Sequence, residues 1–176
     1  MNAHVAATQA FAADVSAVPL PVVVEALSET LFAAYFALDD EALVRRGMRR
    51  VVAPENPGPG YPCRVSLEFA RVGEELLLVN YRHLDTSTTP YRAEGPLFVR
   101  RNAVQRRDDG TFPEIILHWA MAVRAYDHQG IMIEADIAEK EGLQALTRDW
   151  LARPDVAHVD FHSMRRGCFF CRIRRG

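Results

Sequence analysis

Lysine is almost missing from this chain. Among its 21 basic residues Lys140 is the one lysine, so nearly all positive charge is carried by arginine, whose rigid fork suits carboxylates and phosphates. The arginines cluster at Arg45, Arg46, Arg49 and Arg50, at Arg100, Arg101, Arg106 and Arg107, and from Arg165 to Arg175. The ordinary reading of such runs is a solvated face. Cysteine is scarce as well: three residues, an odd number, do not make a disulfide framework, and free thiols or a metal site stay open. From Met1 to Pro21 there is neither a basic start nor a long apolar run, which argues against a secretory signal or membrane span and leads us to expect a cytoplasmic protein with no membrane partner.

Other absences exclude function classes. The net charge of -2 supplies no global attraction to polyphosphate, and the aromatics do not interleave with arginines on one strand face as a base-stacking sheet requires. Nucleic acid is therefore not an expected partner. The chain contains no G-x-G-x-x-G, phosphate-loop, H-E-x-x-H or G-x-S-x-G string and no dense carboxylate cluster, so the common nucleotide, zinc-protease and hydrolase readings lose support.

What remains is an ordinary globular balance. Hydrophobic residues make up 49% and charged residues 25% of 176, enough to bury one core without staples. The expected fold is α+β: a single domain over residues 21–176, an antiparallel sheet meander with N-terminal helices and one C-terminal helix before a closing hairpin. Residues 1–20 are expected to be poorly ordered or to supply an edge strand over Phe11–Val18. Pro21 suits a first helical position, and Val24, Leu27, Leu31, Tyr35 and Leu38 follow at helical spacing, predicting a core-packing helix. Asp39 or Asp40 can cap a short helix that stops at Gly47. The prolines and glycines from Pro54 to Pro62 mark a connector. Strands are expected at Cys63–Phe69, Glu75–His83, Pro96–Val99, Ile115–Tyr126 and Ile131–Ile137. A helix over Glu141–Leu151 then leads to a hairpin of Val156–His162 and Cys168–Arg174.

Few residues stand where chemistry is done. His83 and His162 each end an apolar strand, a place where side chains leave the core and where histidine can serve as base, acid or ligand. A shared pocket requires them within about 12 Å of each other, the reach of one bound ligand. The plain alternative is a strand-end histidine bonded to a carbonyl. Asn80 lies three residues before His83, Tyr91 offers a phenol beside the Gly95 turn, and Arg166 follows His162 in the next turn. Arg124 interrupts an apolar run and either faces solvent or is buried and paired; buried, it would anchor an anion. Cys168 and Cys171 form a C-x-x-C pair that, with Cys63 and His162, supplies four ligands for zinc. Against this, Phe169 and Phe170 between the cysteines suggest a strand, in which positions three apart face opposite sides.

The strings Pro62-Cys63-Arg64, Asn80-Tyr81-Arg82-His83, Pro90-Tyr91-Arg92, Gly95-Pro96-Leu97-Phe98-Val99, Arg124-Ala125-Tyr126-Asp127 and His162 through Gly167-Cys168 together resemble the bacterial DUF1203 family, a domain of unknown function. The resemblance spans roughly residues 36 to 175. It implies a single domain and singles out Cys63, His83, Tyr91, Arg124, His162 and Cys168, but brings no reaction, ligand or cofactor.

The residues thus point to a strand-end pocket for a small polar or anionic molecule, with Asn80, Tyr91, Arg124 and Arg166 binding it and His83 or His162 serving as a base if the protein is an enzyme. Whether it is one stays open, as does homo-oligomerisation. The competing readings are a non-catalytic structural or partner-binding domain and a small zinc-stabilised domain on Cys63, His162, Cys168 and Cys171. No other cofactor is expected.

Overall fold

Strict alternation of side chains across two adjacent strands sets the architecture. The computed structural model describes residues 19–55 and 60–176. In β5 (Met121–Tyr126) and β7 (His158–Ser163), the side chains of Met121, Val123, Ala125, Val159 and Phe161 are fully buried and share one core. Neighbouring residues along a strand point to opposite faces. The other face of the same strands therefore carries Arg124, His158, Asp160 and His162.

These two strands form the middle of a five-stranded antiparallel sheet ordered β1-β8-β7-β5-β6, completed by β1 (Val22–Glu25), β6 (Met132–Ala138) and β8 (Phe169–Arg175). Helix α3 (Lys140–Ala152) connects β6 to β7 and covers the apolar face with Leu143, Thr147, Trp150 and Leu151, which recur at helical spacing. A second, three-stranded antiparallel sheet is ordered β2-β3-β4, from β2 (Arg49–Val52), β3 (Glu75–Leu84) and β4 (Ala93–Arg100). Its core holds Leu77, Val79, Leu97 and Val99 with Phe32, Leu43, Cys63 and Val65. The remaining helices are α1 (Asp40–Arg45) and the single turn α2 (Glu114–Leu117).

The α+β fold, the C-terminal helix and the closing β7–β8 hairpin match the expectation, and Asp39 caps α1 by accepting from the Ala42 amide at 2.7 Å. Several elements differ. The apolar stripe from Val24 to Leu38 is not one helix: Val22 to Glu25 pair with β8, and only two 3-10 turns, Glu29–Leu31 and Ala33–Ala37, follow. Three consecutive valines favour the strand, and the ladder with β8 decides it. The expected strand at Cys63–Phe69 is reduced to isolated bridges around a turn in which Leu67 has φ 52. Ile115–Tyr126 divides into α2 and β5. The expected single meander is two sheets, and β2, a short strand with two arginines that the pattern hides, adds the third strand to the smaller one by pairing with β3. The Phe11–Val18 edge strand and the middle of the proline-rich connector lie outside the described residues.

Phe161 sits at the centre of the larger core with no exposure. Phe161→Ala should destabilise the fold by about 3–5 kcal/mol, as deletion of a buried aromatic side chain does, measured as a lowered urea midpoint with an unchanged slope.

Candidate functional site

The polar face of the five-stranded sheet is buried. His158, Asp160 and His162 alternate along β7 and are 5%, 0% and 0% exposed, an arrangement polar side chains adopt only where partners or a ligand meet them. Across the ladder Arg124 of β5 and Arg172 of β8 both lie opposite Asp160. Arg172 grips the carboxylate through both its oxygens, Nε to Oδ1 at 2.7 Å and Nη2 to Oδ2 at 2.8 Å, and also donates to the His83 carbonyl at 3.1 Å. Next to it, Arg174 pairs with Glu25 of β1 at 2.7 Å.

The second sheet supplies the cover. A bulge in β3 between Arg82 and Leu84 interrupts its register with β4, and such bulges re-aim the side chain they contain. That side chain is His83, half-buried, with its ring 5.1 Å from the His162 ring and stacked on Phe169 at 4.6 Å. A matching irregularity between β7 and β8 pairs Phe169 with His162 and leaves Phe170 and Cys171 in the apolar core. At the other end of the layer the residue 85–92 loop is pinned by Thr89 Oγ1 donating to the Gly130 carbonyl at 2.8 Å. Gly130 has φ 78, a left-handed conformation that strains a residue with a Cβ, so the turn favours glycine.

The imidazoles are underused. His162 Nδ1 lies 3.1 Å from the Gly167 carbonyl oxygen; a carbonyl only accepts, so Nδ1 carries the hydrogen and Nε2 is left with its lone pair. That Nε2, the Nε2 of His158 and both nitrogens of His83 are buried with no hydrogen-bond partner among the described residues. Orphaned buried polar atoms cost about 1–3 kcal/mol each.

The charges around these rings are mostly positive. Burial, and then the Arg172 and Arg124 guanidiniums, push His83 down to about 4. Burial and then Arg124 take His162 down to about 3, and burial with Arg172 and Arg174 does the same to His158. All three rings are neutral at pH 7. Burial lifts the Asp160 carboxyl above the usual carboxylate range, against the pull of Arg172. For Arg172, burial is outweighed by the hydrogen bonds it donates to Asp160 together with the negative charges of Asp160 and Glu25, and its pKa is raised.

His83, Asp160 and His162 present ligand atoms within 4.8 Å of one another, the one such group of three among the described residues. Two imidazoles and a carboxylate are a recognised set for a divalent ion. Here the carboxylate is committed to Arg172 at both oxygens, and the ion would sit beside Arg124 and Arg172. A like-charge pair at about 4 Å costs about 4 kcal/mol at an effective dielectric of about 20, and more for a divalent ion. The same field attracts an anion. Along the β1 edge, His83, Tyr81, Phe169 and Arg172 line a cleft of about 800 Å³ together with Gln105 and Arg106. Gln105 Nε2 donating to the Ala26 carbonyl and Asp108 Oδ1 accepting from the Val24 amide, both at 2.8 Å, hold the Gln105–Asp108 segment against that edge.

The fold thus brings together His83, His162 and Arg124, and puts Tyr91 at the rim, its ring 6.4 Å from Tyr126. It does not bring in Asn80, which is exposed on the opposite face of β3 and donates to Glu94 at 3.1 Å. Arg166 is exposed in the β7–β8 turn and borders a different cavity. The four zinc candidates do not converge: Cys63 is buried in the smaller sheet's core, Cys171 under α3, Cys168 at the turn with Sγ 3.8 Å from the Arg166 carbonyl, and His162 on the polar face. Burial pushes the Cys171 thiol far up. The sequence reading missed Asp160, His158 and Arg172, although a polar residue at every second position of His158-Val159-Asp160-Phe161-His162 is a legible sign of a strand with one polar face.

The family description that matches this chain, over residues 60–175, reads protein of unknown function, DUF1203. The chain belongs to that family. No curated protein and no solved structure matches it, so the geometry alone carries the functional argument.

The three neutral histidines have a consequence for stability. Their folded pKa values lie below the unfolded value of about 6.5, so the unfolded chain binds more protons as pH falls through that range. This contribution is fully present above about pH 6.5 and is lost progressively toward about pH 3–4, with a slope of up to about 4 kcal/mol per pH unit if all three take up a proton on unfolding. Urea denaturation at about pH 7.5 and about pH 5 reads the slope; His158→Phe, which keeps a ring against Tyr126, should reduce it by about one third.

Proposed function

We propose that the protein binds a small anionic or polar molecule at the buried layer between its two sheets, with Arg124 as the charge anchor and the His83 and His162 pair supplying hydrogen bonds or accepting a proton. One observation carries this reading: unpartnered imidazole nitrogens are buried beside a guanidinium, Arg124, that has no carboxylate partner among the described residues and lies beside the Tyr126 phenol. A ligand with acceptor oxygens would satisfy Arg124. The bare Nε2 of His162 is an acceptor and the natural place for a proton leaving that ligand. His83 and His162 meet the distance condition for a shared pocket, with ring centres 5.1 Å apart.

A reading without a ligand has its own support, since His83 stacks on Phe169 and His158 on Tyr126 in nearly parallel pairs. In that reading the polar layer only fastens the two sheets together. The three free thiols support a reducing, cytoplasmic setting. No helix among the described residues is long and apolar enough to cross a membrane.

The test is thermal shift and native mass spectrometry of the purified protein against phosphate, sulfate, malonate and succinate. A small anion should raise the melting temperature of the wild type, Arg124→Gln should weaken that anion by about tenfold or more, as loss of a charge-assisted contact does, and Asn80→Ala should leave it unchanged. No stabilising anion and no co-purifying small molecule would move the assignment to the ligand-free reading.

A further inference from the structure

A second cavity, of about 720 Å³, opens at the other end of the sheets, beside the β7–β8 turn. It shares no wall residue with the β1-edge cleft. Arg64 lies in its wall and is 3% exposed. Its Nε donates to the Phe169 carbonyl at 2.9 Å, its Nη1 donates to the Pro62 carbonyl at 2.6 Å, and its guanidinium lies 4.7 Å over the Phe170 ring. No carboxylate pairs with it among the described residues. Carbonyl dipoles satisfy donors without cancelling the charge, and burial pushes the guanidinium down to about 10. Buried cations are otherwise paired.

The rest of the wall repeats the imbalance. Arg165 and Arg166 border the cavity, neither joined to a carboxylate among the described residues, and Glu139 is the one acidic residue in the lining, so three guanidiniums face one carboxylate. Between them the wall is apolar, with Phe98, Trp119 and Phe170. A volume of this order suits a small organic molecule with a few polar anchors on an otherwise apolar surface. We infer that this cavity binds a small amphipathic anion, an organic carboxylate or phosphate monoester whose head meets Arg64, Arg165 and Arg166 and whose apolar body lies against Trp119 and Phe98. The site is separate from the one proposed above and uses none of its residues.

Trp119 and Trp150 are the two tryptophans, and Trp150 packs from α3 into the core, away from the cavity lining, so a saturable change in emission on ligand addition reports on Trp119. The probes are octanoate and octyl phosphate for the two head groups, and 1-octanol for the same body without charge. Octanoate or octyl phosphate should bind and 1-octanol should bind about tenfold more weakly or worse. The Arg165→Gln/Arg166→Gln double variant, whose changes lie in an exposed turn, should weaken the better anion by about fivefold to tenfold, and Arg64→Gln by more. If Arg64→Gln does not fold, the double variant decides. Equal binding of 1-octanol, an undiminished affinity in the double variant, or an emission change that survives Trp119→Phe would each overturn the inference.

Discussion

The pairing of Arg172 with Asp160 is the constraint from which the rest of the polar layer follows. Taking two opposite charges into a sheet interior costs several kcal/mol of hydration per ion, and the loss is offset only when geometry is close to ideal and the remaining donors are used. Both conditions hold: the contact is bidentate, and the guanidinium spends a further hydrogen bond on the His83 carbonyl. That last bond joins the five-stranded sheet to β3 of the smaller one. The ion pair thus holds the two sheets in one relation and fixes where His83 stands against His162.

Charge then dictates the chemistry open to the layer. Arg124 and Arg172 flank rings that burial has already made reluctant to take a proton, so the histidines present lone pairs and neutral N–H groups beside fixed positive charge. A cation meets repulsion there and a committed carboxylate. An anion meets the Arg124 guanidinium, which has no carboxylate partner among the described residues. The second cavity reaches a similar preference by another route, a buried arginine held by two carbonyls and the Phe170 ring, with no carboxylate partner among the described residues. Arginine rather than lysine makes both arrangements workable, because a delocalised guanidinium stays charged when buried and its planar fork can hold two partners at once.

Much of the fold was legible because periodicity reports local geometry. The α3 stripe at Leu143, Thr147, Trp150 and Leu151 and the alternation in β7 follow directly from helical and strand repeats. The failures came where tertiary pairing overrode a pattern. Val24, Leu27 and Leu31 fit a helix by spacing, but the Val22–Glu25 backbone gains a complete ladder with β8 that an isolated helical turn cannot match. Cys63 to Phe69 has strand-like residues, yet its backbone is spent on bridges to two different partners.

For the candidate site, the sequence by itself determined which residue types were available: strand-end histidines at His83 and His162, an arginine breaking an apolar run at Arg124, and a polar residue at every second position of β7. Alternation and strand ends are local properties, set by neighbours a few positions away. Only the tertiary structure decided which of these meet. It brought His83 to His162 across 78 intervening positions of chain through a bulge in β3, recruited Arg172 to Asp160 through the β7–β8 register, turned Asn80 away because it lies on the opposite face of its strand, and separated the three cysteines among different surroundings. Register and sheet order depend on the sum of many long-range contacts, each too weak to leave a mark on the sequence around it.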